Sequence, residues 1–176
     1  MISLCMIVRD EEDNLSRALA SVKDLVDEII VVDTGSNDRT VEVAERFGAR
    51  VFNHPWQGSF SESRNISLKY ATKDWILILD ADEAIPEEDH PAIRTLLDRT
   101  DYDGYYFLNL QLQDEEGTVS SQHYNLRLFR NGLGIRYEGR VHNQPNLPED
   151  RIQCTDIRIR HYGYMKGYSR KTSKYL

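Results

Sequence analysis

Several things are scarce in this sequence, and each shortage closes off a class of protein. Cysteine occurs twice in 176 residues, at Cys5 in an apolar run and Cys154 in a late polar stretch. Nothing in their spacing matches a metal-binding or dithiol motif. They read as one buried and one free thiol rather than a bridge. No apolar run approaches the roughly 20 residues that span a bilayer. The opening Ile2–Val8 is too short for the apolar core of a signal peptide and lacks both a basic flank and a small-residue cleavage site. The expected compartment is therefore the cytoplasm, with any membrane contact peripheral. Basic residues are outnumbered too: 22 Lys and Arg against 29 Asp and Glu give a formal net charge of −7. Binding nucleic acid requires a basic face that neutralises phosphates, so nucleic acid is not an expected partner. Lys166, Arg170, Lys171 and Lys174, close together near the end, are the one local exception. Repeats and low-complexity tracts are absent.

What remains is an ordinary globular composition, 40% hydrophobic and 29% charged, long enough for one domain with a substantial core. Its first half alternates short apolar runs with helical patterns. Ile2–Val8 is nearly all apolar, as expected of a strand covered on both faces. Leu15, Ala18, Leu19 and Val22 recur at helical spacing. Glu28–Asp33 holds the β-branched run Ile29-Ile30-Val31-Val32, a second strand. Asp38 can cap a helix running through Phe47, with Gly48 as its stop. Arg50–Asn53 is a short third strand. Ser59 and Glu62 have capping-box spacing for a helix to about Tyr70, and Trp75–Leu79 is a fourth strand. This rhythm predicts an α/β fold with a Rossmann-like, mainly parallel central sheet flanked by helices.

The second half reads differently. Tyr105–Gln113, Tyr124–Phe129 and Ile157–Arg160 look like longer, alternating strands, and antiparallel additions to the sheet are expected from them. Residues 1–100 and 101–176 are expected to be two halves of the same domain. Ser169 to Leu176 reads as a helix cut short, as in an excised domain.

Open α/β sheets bind ligands outside the carboxyl ends of their strands, and acidic groups gather there. Asp10 and Glu11 follow the first strand, Asp33 ends the second, and Asp80 and Asp82 follow the fourth. Asp80-Ala81-Asp82 puts two carboxylates on one side of an extended chain. Such a pair can hold Mg²⁺ or Mn²⁺ against a diphosphate, and the cation then stabilises charge on a departing nucleotide diphosphate. A solvated acidic turn is the plainer meaning of an isolated Asp-x-Asp, but its place directly after a fully apolar strand favours the functional reading. Asp33-Thr34-Gly35-Ser36 also matches an aspartic protease motif. That chemistry needs two such aspartates sharing a proton, and no second copy exists.

Residues 2–83 resemble the inverting family 2 glycosyltransferases of the GT-A fold. The resemblance is carried by Ile2 to Glu12, by Val31-Val32-Asp33-Thr34-Gly35-Ser36-Asn37-Asp38-Arg39-Thr40, and by Ser63-Arg64-Asn65 leading to Trp75 through Glu83. Looser similarity runs to about residue 165 through Leu126 to Arg130, Gly139-Arg140-Val141-His142 and His161-Tyr162-Gly163-Tyr164. It implies a glycosyltransferase that moves a sugar from a nucleotide-diphosphate donor, of the UDP-sugar type, to an acceptor nucleophile on a glycan, lipid or peptide. The resemblance makes residues 1–100 the nucleotide-binding half and 101–176 the acceptor-side half.

By the same resemblance Glu11, Asp33 and Asp38 contact the base and ribose, and Arg64 lies near the diphosphate. Asp82 is the principal metal ligand, with Asp80 nearby. A plain helix cap remains the competing role for Asp38, and a surface helix cation for Arg64. His161 is either a late metal or diphosphate ligand or a satisfied core histidine. Related sequences often carry an acid where Asn143 stands, and an amide cannot accept a proton as a base. Glu138 and His142 are then the candidate bases. The departure at Asn143 keeps a second reading open, a nucleotide-sugar-binding domain without catalysis. A nucleotidyltransferase is a third reading, but it would carry a Gly-rich, basic early loop where this chain has Arg9-Asp10-Glu11.

Overall fold

Strand β1 (Ile2–Val8) is buried along its whole length and sits between two cores, one on each face of the sheet. Ile2, Leu4, Met6 and Val8 point to one side; there they meet Leu15, Ala18, Leu19 and Val22 of helix α1 (Leu15–Val22). Cys5 points to the other, among Ile30, Ile76, Ile78 and Phe129. Period-2 alternation between two apolar cores explains why the run has no polar face. The computed structural model describes residues 1–114, 116–139, 144–163 and 165. His142, Asn143, the basic cluster from Lys166 to Lys174 and the helix expected over 169–176 lie outside the described residues.

The chain continues through β2 (Glu28–Asp33), α2 (Thr40–Arg46), β3 (Arg50–Asn53), α3 (Phe60–Tyr70) and β4 (Trp75–Ile78). Each starts and stops for a local reason. Ser59 Oγ accepts from the backbone N–H of Glu62 at 3.3 Å and so caps α3. Asp38 Oδ1 accepts from the N–H of Thr40 at 3.0 Å at the start of α2. Gly48, at φ +75°, supplies the left-handed residue beyond the end of α2. The second half adds β5 (Glu83–Ala84), α4 (His90–Leu97), β6 (Gly104–Leu112), β7 (Val119–Arg130), the small hairpin β8 (Tyr137–Glu138) with β9 (Gln144–Pro145), and β10 (Ile152–His161). Helix α4 buries only Ile93 and Leu96 of its eight residues, too short a stripe for periodicity to declare it.

The large sheet has the order β3-β2-β1-β4-β7-β6-β10-β5. Strands β3, β2, β1 and β4 pair in parallel. Strand β7 then runs antiparallel to both β4 and β6, as expected of the second half. Strand β10 pairs parallel to β6 and antiparallel only to the two-residue β5. Following these directions across the sheet, β1 to β4, β6 and β10 all point the same way. The carboxyl ends of β4 and β10 therefore open on the same edge. Among the described residues no helix is long and apolar enough to cross a membrane.

Candidate active site

The turns after β1 and β2 are stitched together by reciprocal bonds. The N–H groups of Asp10, Glu11 and Glu12 donate to Ser36 Oγ, Thr40 Oγ1 and Asp38 Oδ2 at 3.0, 2.7 and 3.3 Å. In return Asp10 Oδ1 accepts from the N–H of Asn37 at 2.8 Å, and Glu12 Oε2 from that of Arg39 at 3.2 Å. Asp10 takes φ +51° to do this, a left-handed conformation that an aspartate tolerates better than most residues. Asp33 is only 3% exposed; both its carboxylate oxygens accept from Ser36, and Oδ2 also from the N–H of Gly35 at 3.1 Å. Glu11 Oε2 accepts from Asn14 Nδ2 at 2.7 Å. The structure thus brings Glu11, Asp33 and Asp38 to one pair of neighbouring loops, where Asp33 and Asp38 hold backbone N–H groups. Arg9 Nε, His54 Nε2 and Ser63 Oγ are buried without a hydrogen-bond partner, His54 Nε2 lying 3.7 Å from Glu62 Oε1.

The turn after β4 is built from charge. Asp80 Oδ1 meets Arg64 Nη2 of α3 at 2.8 Å, and its Oδ2 meets Arg127 Nη1 of β7 at 3.5 Å. Arg127 also reaches Glu83 Oε1 with Nη2 at 2.6 Å. Sequence reasoning gave Asp80 a place beside a metal. The structure commits both of its carboxylate oxygens to guanidinium groups. Burial works against the Asp80 carboxylate, but Arg64 and then Arg127 outweigh it and hold its carboxyl well below the usual range. Burial pushes Glu83 up, only partly offset by Arg127. Three donors nevertheless converge on Glu83, namely Arg127 Nη2, Asn109 Nδ2 at 2.7 Å and the Asp80 N–H at 2.9 Å. All three bonds run towards its oxygens, so its carboxyl group acts as an acceptor.

Asp82 faces the other way. Its Oδ2 lies 3.1 Å from Nε2 of His161, the last residue of β10, and its backbone carbonyl accepts from the N–H of Tyr162 at 2.9 Å. His161 Nδ1 lies 2.6 Å from Gln111 Oε1, and Gln111 Nε2 donates to Asn109 Oδ1 at 3.1 Å. Burial alone would lower the His161 pKa; the Asp82 hydrogen bond and charge outweigh it, and the net shift is upward.

Asp82 and His161 supply an oxygen and a nitrogen of the kinds that hold Mn²⁺ or Mg²⁺. A side-chain Cβ at Gly163 would stand against Asp82 Oδ2 and 2.9 Å from His161 Nε2, so the space beside these two atoms depends on a glycine there. Among the described residues no group of three or more His, Cys, Asp or Glu side chains could hold a metal by itself. Two protein ligands suffice for a cation that takes its other ligands from phosphate and water.

A cavity of about 540 Å³ opens beside this turn, with Arg64, Asp80 and Arg127 among its lining residues together with Tyr106, Tyr124 and Tyr137. Glu138 is on the opposite side of its strand from Tyr137, 60% exposed and 3.2 Å from Arg136 Nε. The alternation of β8 therefore turns Tyr137, not Glu138, towards Arg64, whose guanidinium lies 5.5 Å from the ring centre. His142 lies outside the described residues. Sequence reasoning assigned no role to Arg127, Glu83, Asn109 or Gln111. The available signal was a charge inside the apolar run Leu126-Arg127-Leu128, and two amides on the inward face of a strand.

With this geometry in view, the likenesses to known proteins are informative. The sequence profile described as "Glycosyl transferase family 2" matches residues 3–172. A TPR repeat-containing protein of Synechococcus elongatus is 43% identical over 174 residues, covering 93% of this chain and 42% of that protein. An uncharacterized glycosyltransferase of Rickettsia felis is 37% identical over 111 residues, 63% of this chain and 39% of its own length. The chain thus spans about two-fifths of the curated relatives it matches. Staphylococcus aureus TarS shares the fold with a TM-score of 0.68 at 17% identity, over 88% of this chain and 35% of TarS. Glucosyl-3-phosphoglycerate synthase of Mycobacterium tuberculosis, in complex with Mn²⁺, UDP and phosphoglyceric acid, superposes with a TM-score of 0.53 at 25% identity. The match covers 62% of this chain and 43% of that one. A profile that runs through nearly the whole chain, on a GT-A sheet with its acidic turn at the expected edge, places the protein in glycosyl transferase family 2.

Proposed function

We propose that the chain is the donor-binding and catalytic domain of a glycosyltransferase that moves a sugar from a UDP-type donor to an acceptor nucleophile with inversion. The observation that carries this reading is the Asp82–His161 pair at the adjoining ends of β4 and β10, with Gly163 keeping a side chain out of the gap. Asp82 and His161 would hold the Mn²⁺ or Mg²⁺ ion, with donor phosphate oxygens completing its shell. When bound, the cation supplies charge neutralisation for the departing diphosphate. The mycobacterial synthase, which carries Mn²⁺ and UDP in its structure, supports the assignment.

The remaining roles follow from position. Arg64 and Arg127 bind Asp80 from two sides and fix the turn on which Asp82 is presented. The loops of Glu11, Asp33 and Asp38 receive the base and ribose, and the buried Arg9 Nε and Ser63 Oγ, without hydrogen-bond partners, are polar groups that a nucleotide can satisfy. The acceptor enters from the second half, past the tyrosine-lined cavity. A base there, Glu138 or His142, takes the acceptor proton. The acceptor atom bonds to the sugar's anomeric carbon as the bond to the phosphate oxygen breaks, and UDP leaves with the electron pair. Glu138 is held by Arg136 on the exposed side of its strand, which weights the choice towards His142.

The test is calorimetric titration of UDP with and without Mn²⁺, alongside donor hydrolysis or transfer. UDP binding that needs the cation, together with turnover, is the expected result. Equal affinity with and without Mn²⁺ would overturn the metal reading. Tight binding with no turnover for any acceptor would point to a binding domain instead.

A further inference from the structure

We propose that Asn109 and Gln111 are positioning residues that fix the proton of His161 on Nδ1 and so present its Nε2 lone pair to the site. The inference rests on the reading of Asp82 and His161 as a cation pair, and it concerns how that pair is kept ready. Both amides lie on the inward face of β6, with exposures of 1% and 8%. Every bond in the chain that joins them has a fixed direction.

The chain begins at Glu83, whose carboxyl oxygens accept from Arg127 Nη2, Asn109 Nδ2 and the Asp80 N–H. Asn109 must therefore turn its Nδ2 to Glu83, which it does at 2.7 Å. That leaves Asn109 Oδ1 as an acceptor, and Gln111 Nε2 donates to it at 3.1 Å. Gln111 Oε1 is consequently an acceptor as well. The group facing it at 2.6 Å, His161 Nδ1, has to carry a hydrogen. In the neutral ring Nε2 then has a lone pair, which faces another acceptor, Asp82 Oδ2, at 3.1 Å. Two acceptors facing one another are stable only with a proton or a metal cation between them.

With a cation or a donor at Nε2, the hydrogen of the neutral ring is held on Nδ1. If Nε2 carried the hydrogen in the neutral ring, Nδ1 and Gln111 Oε1 would be two acceptors in contact. Gln111 would have to turn over, and the fault would pass to Asn109 and then to Glu83. Partners that fix the tautomer and orientation of a ligating histidine are typically worth about 10–100-fold in metal affinity. The anchor of this chain is Arg127, whose contacts with both Glu83 and Asp80 tie the histidine to the turn that carries Asp82.

Two readouts test the proposal. The first is ¹⁵N NMR of the His161 ring in Asp82→Asn, where the amide facing Nε2 can donate to it, at a pH where the ring is neutral and with the signal assigned against His161→Asn. A hydrogen on Nδ1 is expected there, and a hydrogen on Nε2 overturns the proposal. The second compares Gln111→Leu with Gln111→Glu. The leucine variant removes the acceptor; it should release the ring to the Nε2–H form and weaken Mn²⁺ binding in the presence of UDP by about 10–100-fold. The glutamate variant keeps an acceptor for Nδ1 and should recover the tautomer, although its second oxygen loses the bond to Asn109. Unchanged tautomer and affinity in Gln111→Leu overturn the proposal. Absence of Mn²⁺ binding in the unaltered protein would overturn the metal reading, while the ring measurement would still decide the relay.

Discussion

The two ends of the binding edge use carboxylates in opposite ways. In the loops after β1 and β2, Asp10, Glu12, Asp33 and Asp38 each accept from backbone N–H groups close by. These are many modest bonds, and each loop partly supports the other. After β4 the carboxylates of Asp80 and Glu83 face buried guanidiniums, and Asp82 faces a histidine drawn from a strand 79 residues away. Here there are few partners, and each carries high stakes. The first arrangement shapes a loop that can tolerate a loss; the second holds a charge balance that cannot.

Breaking that balance should have the largest effect. Arg127 is 7% exposed and bridges Asp80 and Glu83. Arg127→Met leaves Glu83 buried without its cation, and removing one partner of a buried pair typically costs about 3–5 kcal/mol. Urea denaturation of the two proteins measures it, and a loss below about 1 kcal/mol would show that the pair is dispensable. Next comes Asp82→Asn, which keeps shape and removes charge. It should weaken Mn²⁺-dependent UDP binding by about 100-fold, close to 2.7 kcal/mol, with little change in melting temperature. Calorimetry showing parental affinity would refute the assignment.

Gly163→Ala sharpens the comparison, because it leaves the side chains of Asp82 and His161 unaltered. The methyl group would press on both Asp82 Oδ2 and His161 Nε2. On the proposed reading Mn²⁺ affinity should fall by at least about tenfold, or 1.4 kcal/mol, with little change in melting temperature. On the other side of the comparison, Asp38→Ala removes acceptors for the N–H groups of Thr40 and Glu12. By analogy with helix caps it should cost about 1 kcal/mol, read from the shift in thermal midpoint, and much more than that would contradict the picture of shared support.

The smallest effect concerns the thiols. Burial pushes Cys5 up to about 12, so it stays protonated at neutral pH, whereas Cys154 is exposed. A thiol reagent should label one cysteine in the native protein and two in denaturant. Rapid labelling of both would mean that the core around β1 opens readily.

The parts that sequence made legible follow a simple rule: they depend on neighbours in the chain. β1 through β4, the capping of α3 by Ser59 and the glycine stop after α2 all rest on patterns spanning a few residues, and the structure places them accordingly. The acidic turn was legible because it ends an apolar strand. What sequence concealed depends on partners far away. The first half of β7 is exposed, so its alternation is masked, and the strand begins at Val119 instead of Tyr124. Nothing near Asp80 in sequence says that Arg127, 47 residues on, will reach one of its oxygens. The direction of β10 was equally hidden, because parallel and antiparallel strands share the same period. Asn109 and Gln111 looked like ordinary polar positions on a strand until Glu83 and His161 gave them partners.

The joining of β10 to the turn after β4 also orders events in time. Residues 1–79 contain the four parallel strands and their three helices, and most of their pairings link neighbours in sequence. The Asp82–His161 contact closes a loop of 79 residues, which loop entropy and contact order make slow to form. On a ribosome, where the N-terminal part emerges and folds first, the loops after β1 and β2 can be in place while β10 is still being synthesised. A nascent chain would then present Asp82, but it would gain the Asp82–His161 contact only once β10 had docked. Pulse-labelling hydrogen exchange during refolding should accordingly show β1 and β2 protected before β10.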